Sequence, residues 1–371
     1  MSLPNPSTGF PSLIDTHFHI TASSSAKIAS DAGADPSGES PPVWSLEDCL
    51  RFCDTIGESF SVLSVTVPSP TSLGPTEAGR KLARAINSEV WEVCSQSKGR
   101  FGFFASLPDL NDVEGTLEEI KQIFETEKKA NGIIVMTSYG ERLLGDEYFK
   151  PIWESLEKYK ALVFVHPVAL NITPENVGGY LPPQIIDFTH ATTRAAVSLV
   201  VSGIFTACPN VDIILSHAGG TTPFIAQRAL DLLSDPSLQT QSPINIIEAK
   251  HAIERFYYDL ALSTSTPQLK ALLAFTSPSK LLYGSDSPYA PRNVIYEDLL
   301  RYAHFVTSEE GKAIRPARLN ENATALLEKH KSEHTILPTA RSSWGSKHPE
   351  FGLENSTVAE QARHQLFKLN S

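Results

Sequence analysis

Eight short apolar runs recur along the chain, and each ends in polar or turn-forming residues. They occupy 13–19 (LIDTHFH), 60–68 (FSVLSVTVP), 101–108 (FGFFASLP), 132–138 (GIIVMTS), 161–168 (ALVFVHPV), 211–218 (VDIILSHA), 256–263 (FYYDLALS) and 281–288 (LLYGSDSP). Most are nearly continuous in apolar residues and do not alternate. Strands covered on both faces read this way, which favours a parallel sheet. The segments between them have helical patterns. Residues 77–96 place Leu82, Ile86, Val90 and Val93 about one helical turn apart, and 113–126 do the same with Leu117, Ile120 and Phe124. Segments 193–207 and 223–233 behave likewise. This count of strands and helical crossovers predicts an α/β fold of the (β/α)₈ TIM-barrel type. A doubly wound sheet would usually have about five or six strands.

One barrel domain is expected over residues 1–330. Residues 21–42 are rich in Ser, Ala, Gly and Pro, so 21–45 reads as a loop over the barrel mouth, a lid between the first strand and the first helix. The polar extension 331–371 is expected to pack on the outside or on a neighbouring subunit. The formal charge of −11 argues against a nucleic-acid surface, which needs a basic face. Cys49, Cys53, Cys94 and Cys208 read as small buried side chains in a reduced compartment. The N-terminal residues MSLPNPSTGFPS lack the pattern of a signal peptide, and no apolar run is long enough to span a bilayer. A cytoplasmic protein without a membrane partner is the expectation.

Asp15, His17 and His19 alternate along the first strand, so period-2 geometry puts them on one face. In a barrel that face is the interior, and His19 lies at the C-terminal end, where barrel sites are built. An HxH pair alone says little. The other polar groups add weight: His166 ends the fifth run, His217 the sixth and Asp286 the eighth. Neutral imidazoles and a carboxylate at one barrel end suit one divalent ion, zinc first and manganese second. The fourth run, GIIVMTS, offers no Lys, His or acid to bridge a second metal. No GxGxxG follows a strand and no P-loop is present, so no organic cofactor is expected. Phe18, Trp44, Phe188, Phe275 and Tyr289 are candidates for an aromatic pocket.

DTHFH, VFVHP, LSHAGG and YGSDSPY, in this order, resemble the amidohydrolase-related decarboxylases. That group includes aminocarboxymuconate-semialdehyde, γ-resorcylate, isoorotate and 6-methylsalicylate decarboxylases. The segments 191–228 and 319–327 (LNENATALL) extend the resemblance, which covers about residues 13–330. It implies an amidohydrolase-like barrel with His17, His19, His166 and Asp286 as metal ligands. It implies that His217 acts on substrate or water, with His217 and Asp286 as candidate catalytic proton donors. Arg228 matches an arginine that in some members reaches the substrate carboxylate, sometimes across a dimer interface, so a homodimer is expected. One departure stands out. Aminocarboxymuconate-type members carry a substrate-binding Arg eight residues before the position of Gly57, where this chain has Cys49, and Arg51 is out of register by two.

The resemblance thus implies non-oxidative decarboxylation of a small ortho-hydroxy aromatic acid, with 6-methylsalicylate, giving m-cresol and CO₂, as the lead. Isoorotate is the near alternative. A metal-dependent lactonase or amidohydrolase on the same scaffold, and a non-catalytic binding protein, are the readings from other classes.

Overall fold

A computed structural model describes residues 12–25, 42–168, 177–338, 354–367 and 369. Eight parallel strands form its central sheet: β1 (Leu13–His19), β2 (Glu58–Ser64), β3 (Phe101–Ser106), β4 (Gly132–Met136), β5 (Leu162–His166), β6 (Asp212–Leu215), β7 (Tyr257–Asp259) and β8 (Leu281–Leu282). Each predicted run supplies one strand, in sequence order. The sheet closes on itself: Thr16 N–H donates to Tyr283 O (3.0 Å), Asp286 N–H to His17 O (2.8 Å) and His19 N–H to Ser287 O (2.7 Å). The chain is a (β/α)₈ barrel. Closure leaves no open sheet edge, and it ties the first strand directly to the loop that carries Asp286.

The helices form the outer layer. The first two are α1 (Leu46–Ile56) and α2 (Glu77–Gln96). Their N-cap side chains, Ser45 and Thr76, accept from the backbone of Asp48 and Gly79. In α2 the predicted stripe buries Leu82, Ile86 and Val90, whereas Val93 is half-exposed and Cys94 takes the inward position. The predicted helix at 113–126 forms as α3 (Val113–Lys121), continued by a wider turn over Gln122–Glu127. After β4 the chain makes a small antiparallel hairpin, Ser138–Tyr139 with Arg142–Leu143, that the apolar pattern did not predict. There follow α4 (Lys150–Lys158), α5 (Asp187–Val201), α6 (Thr222–Leu232), α7 (Ile246–Ile253), α8 (Thr266–Phe275), α9 (Arg292–Phe305) and α10 (Pro316–Lys329). The segment expected as one helix over 193–207 is broken at Gly203, whose φ is +76°.

Inside the barrel, Phe104 and Phe164 stack with ring centroids 5.4 Å apart, and Phe164 meets His17 edge-on at 4.9 Å. Phe18, between the two inward histidines, points outward instead and packs on Phe52 of α1 and on Phe101. It belongs to the layer between sheet and helix, so it drops out of the aromatic-pocket candidates. Phe275 drops out as well, since it closes α8 against Tyr258.

Of the predicted lid loop, 26–41 lies outside the described residues, while its ends are joined by Thr21 Oγ1 donating to Pro42 O (2.9 Å). The described end of the extension is a helix, α11 (Thr357–Phe367), that buries Ala359, Ala362 and Leu366. It packs along α9 and α1 of its own barrel. Glu354, just before it, pairs with Arg292 and accepts from the Tyr296 hydroxyl, while its N–H donates to Thr55 Oγ1 (2.9 Å). Among the described residues, no helix is long and apolar enough to cross a membrane.

Candidate active site

Strand alternation aims His17 and His19 inward from β1, and His166 ends β5 beside them. Asp286 reaches the same point from the loop after β8. One ligand atom from each of His17, His19, His166 and Asp286 lies within 4.8 Å of all the others. The tightest contacts are His17 Nε2 to His19 Nε2 (3.1 Å), His19 Nε2 to Asp286 Oδ1 (3.1 Å) and His17 Nε2 to Asp286 Oδ1 (3.4 Å). Ligands about 2.1 Å from a shared tetrahedral centre would lie about 3.4 Å from one another, so these spacings are of the right size for a coordination sphere.

The other ring nitrogens decide whether those Nε2 atoms can donate a lone pair. His166 Nδ1 lies 2.9 Å from Pro167 O, which only accepts, so Nδ1 carries the proton. His17 Nδ1 lies 3.0 Å from Asp259 Oδ2 and donates to it in the same way. His19 Nδ1 lies 2.9 Å from Ser64 Oγ, whose own proton goes to Phe18 O (3.2 Å), so Ser64 accepts. All three imidazoles are therefore held in the tautomer that turns an unprotonated Nε2 toward the cluster.

Electrostatics agree with the geometry. Burial pushes His166 well down, and the neighbouring His19 and His17 act in the same direction. Burial likewise lowers His19. For His17 burial works downward too, but Asp259 and Asp286 outweigh it and raise the group to about 10. Burial opposes ionisation of Asp286, yet its hydrogen bonds to His17 and His19 hold it well below the usual carboxylate range. The protein groups thus demand a positive charge among the Nε2 atoms. A divalent ion satisfies that demand as a proton does, and the donor set fits one.

His217 stands beside this cluster. Its ring centroid is 4.9 Å from that of His17 and 6.3 Å from that of His166. Its Nδ1 donates to Ala261 O (3.2 Å), leaving Nε2 unprotonated, and burial lowers its pKa. Its backbone is unusual: His217 and Ala218 have φ of +54° and +56°, and Asp286 has +62°. The left-handed region costs an L-residue roughly 1–2 kcal/mol. Such strain persists where surrounding bonds over-determine the conformation. Here Asp259 Oδ1 accepts from His217 N (3.1 Å), and the Asp286 N–H is held by His17 O. Gly220 completes the turn with φ +65°, and a Cβ there would lie 1.9 Å from Thr189 O.

Asp259 is the functional residue that sequence reasoning missed. One carboxylate receives His17 Nδ1, His217 N and Ala261 N. The sequence shows only an acid inside the apolar run FYYDLALS, and the structure shows that it is fully buried. Asp15 plays a related part, since its Oδ1 accepts from His17 N (2.8 Å) and Ser285 N (3.3 Å). Among the pocket candidates, Phe188 meets His166 edge-on (6.1 Å), and Tyr289 meets His19 (5.4 Å) while its hydroxyl donates to Val67 O. Trp44 is half-buried, and its indole Nε1 has no hydrogen-bond partner among the described residues. Arg228 is exposed on α6. Cys49 is buried in α1, and Arg51 pairs with Glu47 on the same helix.

A barrel whose C-terminal edge gathers three imidazoles, a carboxylate and a further oriented histidine has the make-up of an enzyme active site. The amidohydrolase family profile matches residues 14–329. The chain belongs to that family, and among its members it is an enzyme of the carboxy-lyase type. The decarboxylase yanB of Aspergillus niger is 35% identical over 344 residues, covering 90% of this chain and 92% of its own. The 6-methylsalicylic acid decarboxylase of Penicillium expansum is 35% identical over 299 residues, covering 80% and 90%. The fold is shared with a dihydroxybenzoic acid decarboxylase of a Polaromonas species, solved with bound manganese and the inhibitor 2-nitroresorcinol. That structure has a TM-score of 0.67 at 18% identity and covers 87% of this chain and 98% of its own.

Proposed function

We propose that the chain is a metal-dependent, non-oxidative decarboxylase of a small aromatic acid with a hydroxyl ortho to its carboxylate. 6-Methylsalicylate, giving m-cresol and CO₂, is the lead substrate. The observation that carries this reading is the convergence of three Nε2 lone pairs and Asp286 beside an oriented His217. His17, His19, His166 and Asp286 would hold one divalent ion, zinc first and manganese second. When bound, that ion would supply positive charge beside the substrate's carboxylate.

The chain's own groups do the rest. In the reaction the bond between ring carbon and carboxylate breaks, and CO₂ leaves without the bonding pair. That pair ends in a new C–H bond, so one proton must be delivered to the ring carbon. In this reading His217 and Asp286 are the candidates to carry it, and the Ala261 carbonyl fixes which nitrogen His217 presents. Arg228 is exposed on α6, and in this reading it meets the substrate of a second subunit, so a homodimer belongs to it.

The test is a panel of acids given to the metal-loaded protein, with CO₂ and arene as readouts. Turnover of 6-methylsalicylate, and none of 3-methoxybenzoate, is expected. Comparable turnover of the hydroxyl-less benzoate would refute the chelating role of the hydroxyl. Turnover of isoorotate alone would move the substrate to a pyrimidine, and ring-opening of lactones without CO₂ release would make the chain a hydrolase.

A further inference from the structure

The extension meets the barrel at a junction behind the loop that carries Asp286. Arg292 opens α9, at the end of that loop. Its guanidinium pairs with Asp48, in the first turn of α1, and with Glu354. One helical turn later the Tyr296 hydroxyl donates to the other oxygen of Glu354. Glu354 N–H donates to Thr55 Oγ1 near the end of α1 (2.9 Å). The helix α11 follows closely and docks along α9 and α1, which holds Glu354 in place. The Glu354 side chain is 16% exposed, so its pair with Arg292 is better shielded than a surface ion pair, whose contribution is small.

Two routes lead from this junction to the His/Asp cluster. One follows the backbone: Ala290 N–H donates to Asp286 O (2.9 Å), and Asp286 N–H donates to His17 O (2.8 Å). The other runs through rings. The Arg292 guanidinium lies over Phe52 (5.5 Å), and Phe52 stacks on Tyr296 (6.2 Å) and meets Phe18 edge-on (6.0 Å). Phe18 is the β1 residue between His17 and His19. Asp286 has a φ of +62°, and a conformation of that kind persists only where its surroundings hold it. Bonds to His17 O and, through the Tyr289 hydroxyl, to Val67 O (2.6 Å) hold the loop on the barrel side. The pairs made by Arg292 hold it on the outer side.

We propose that Glu354, anchored by α11, is a positioning residue for the active site: through Arg292 it sets the loop that presents Asp286. The proposal rests on the reading of the His/Asp cluster as a metal site. The extension is then part of the support of the cluster, although it lies outside the barrel. Without the Glu354 carboxylate, Arg292 keeps Asp48 alone and Tyr296 loses its acceptor. The first turn of α9 is then free to shift, and Asp286 loses its fixed aim at His17 and His19.

The experiment uses the full chain as wild type, Glu354→Ala, Glu354→Gln, Arg292→Met and the double variant Glu354→Ala/Arg292→Met. Zinc affinity is measured by competition with a chelator, and backbone hydrogen exchange over 284–292 is measured on metal-free protein. Glu354→Ala should weaken zinc binding roughly three- to thirtyfold, the range of a coupling that acts through an intermediate residue. Exchange over 284–292 should accelerate by a similar factor. Glu354→Gln, which keeps an oxygen for Tyr296, should lose less than Glu354→Ala. Arg292→Met keeps the apolar stem on Phe52 but removes the charge, and adding Glu354→Ala to it should weaken zinc binding no further. Zinc affinity within twofold of wild type and unchanged exchange over 284–292 in Glu354→Ala, with a lower melting temperature, would make the junction a stability clamp and overturn the proposal. Additive losses in the double variant would overturn it as well. If the wild type binds no zinc, the metal reading fails by itself, and the exchange over 284–292 decides whether Glu354 sets the loop.

Discussion

Replacing Asp259 by Asn exchanges one oxygen for an NH₂ group at nearly constant volume. Asp259 accepts from His17 Nδ1 (3.0 Å), His217 N (3.1 Å) and Ala261 N (3.0 Å). Only a carboxylate accepts on both oxygens, so in the variant the amide nitrogen must face a donor in either orientation. Facing His17 is the smaller loss. The imidazole can move its proton from Nδ1 to Nε2 and accept the amide, whereas two backbone N–H groups have no such option. That proton then sits on the nitrogen that points into the cluster, where it blocks a metal bond. Loss of a partner behind a ligating histidine weakens binding about 10–100-fold. At 1.36 kcal/mol per decade that is about 1.4–2.7 kcal/mol. We expect Asp259→Asn to show this drop in zinc affinity, measured by competition with a chromophoric chelator, with an unchanged circular dichroism spectrum. Part of its lost turnover should return at saturating metal. An affinity within twofold of wild type would show that Asp259 does not set the His17 tautomer.

His217→Ala should retain the metal yet lose turnover by ~10²–10⁴-fold; loss of the metal instead would make His217 a ligand. Phe224 and Ile225 are 63% and 44% exposed on α6, which also carries Arg228, so this helix is expected to bury itself in a homodimer. A monomer by light scattering at micromolar concentration would contradict that expectation. Burial works to raise Asp212, but hydrogen bonds from His330 and Lys329 overcome it and lower the group to about 2. A depressed carboxylate contributes stability that is complete above its unfolded value, about 4, and is lost as pH falls through about 2. Asp212→Asn should therefore lower stability in urea by on the order of 2 kcal/mol at pH 7. That deficit should shrink as the pH approaches 2, and one that stays constant would refute the linkage.

The strands were legible because a buried parallel strand leaves a local mark, a near-continuous apolar run. The cluster was legible for a related reason: in a barrel every strand ends at the same rim, so a polar residue closing each run has one place to go. The same alternation that aims His17 and His19 inward dictates that Phe18 faces the helices, which removes it from the pocket. Other features left no local mark. Asp259 acts on His17 from 242 residues away, and nothing within YYDLAL distinguishes a capping acid from one that reaches across a barrel. The break at Gly203 sits inside a continuous helical pattern, and only the left-handed φ reveals it. The helix Thr357–Phe367 buries small residues, Ala359 and Ala362, so its docking face carries little hydrophobic signal in a polar extension.

The arrangement also explains why the site sits on loops as strained as those after β6 and β8. Regular strands deliver side chains only at alternate positions and at fixed spacing, which is enough for His17, His19 and His166. In the proposed function a fourth ligand and a proton-handling group must approach the same point from other directions. The left-handed residues Asp286 and His217 provide that turn of direction. Their conformations persist because each is anchored to the first strand: Asp286 through its N–H to His17 O, and His217 through Asp259, whose other oxygen holds His17. Gly284 lets the two segments close, since a Cβ there would lie 2.7 Å from the His17 Cβ. His17 is thus both a candidate ligand and the residue on which Asp286 and, through Asp259, His217 are registered. Its loss should disorder the loop geometry as well as the metal, whereas loss of His166, whose Nδ1 among the described residues is bound only to its neighbour Pro167 O, should cost the metal alone.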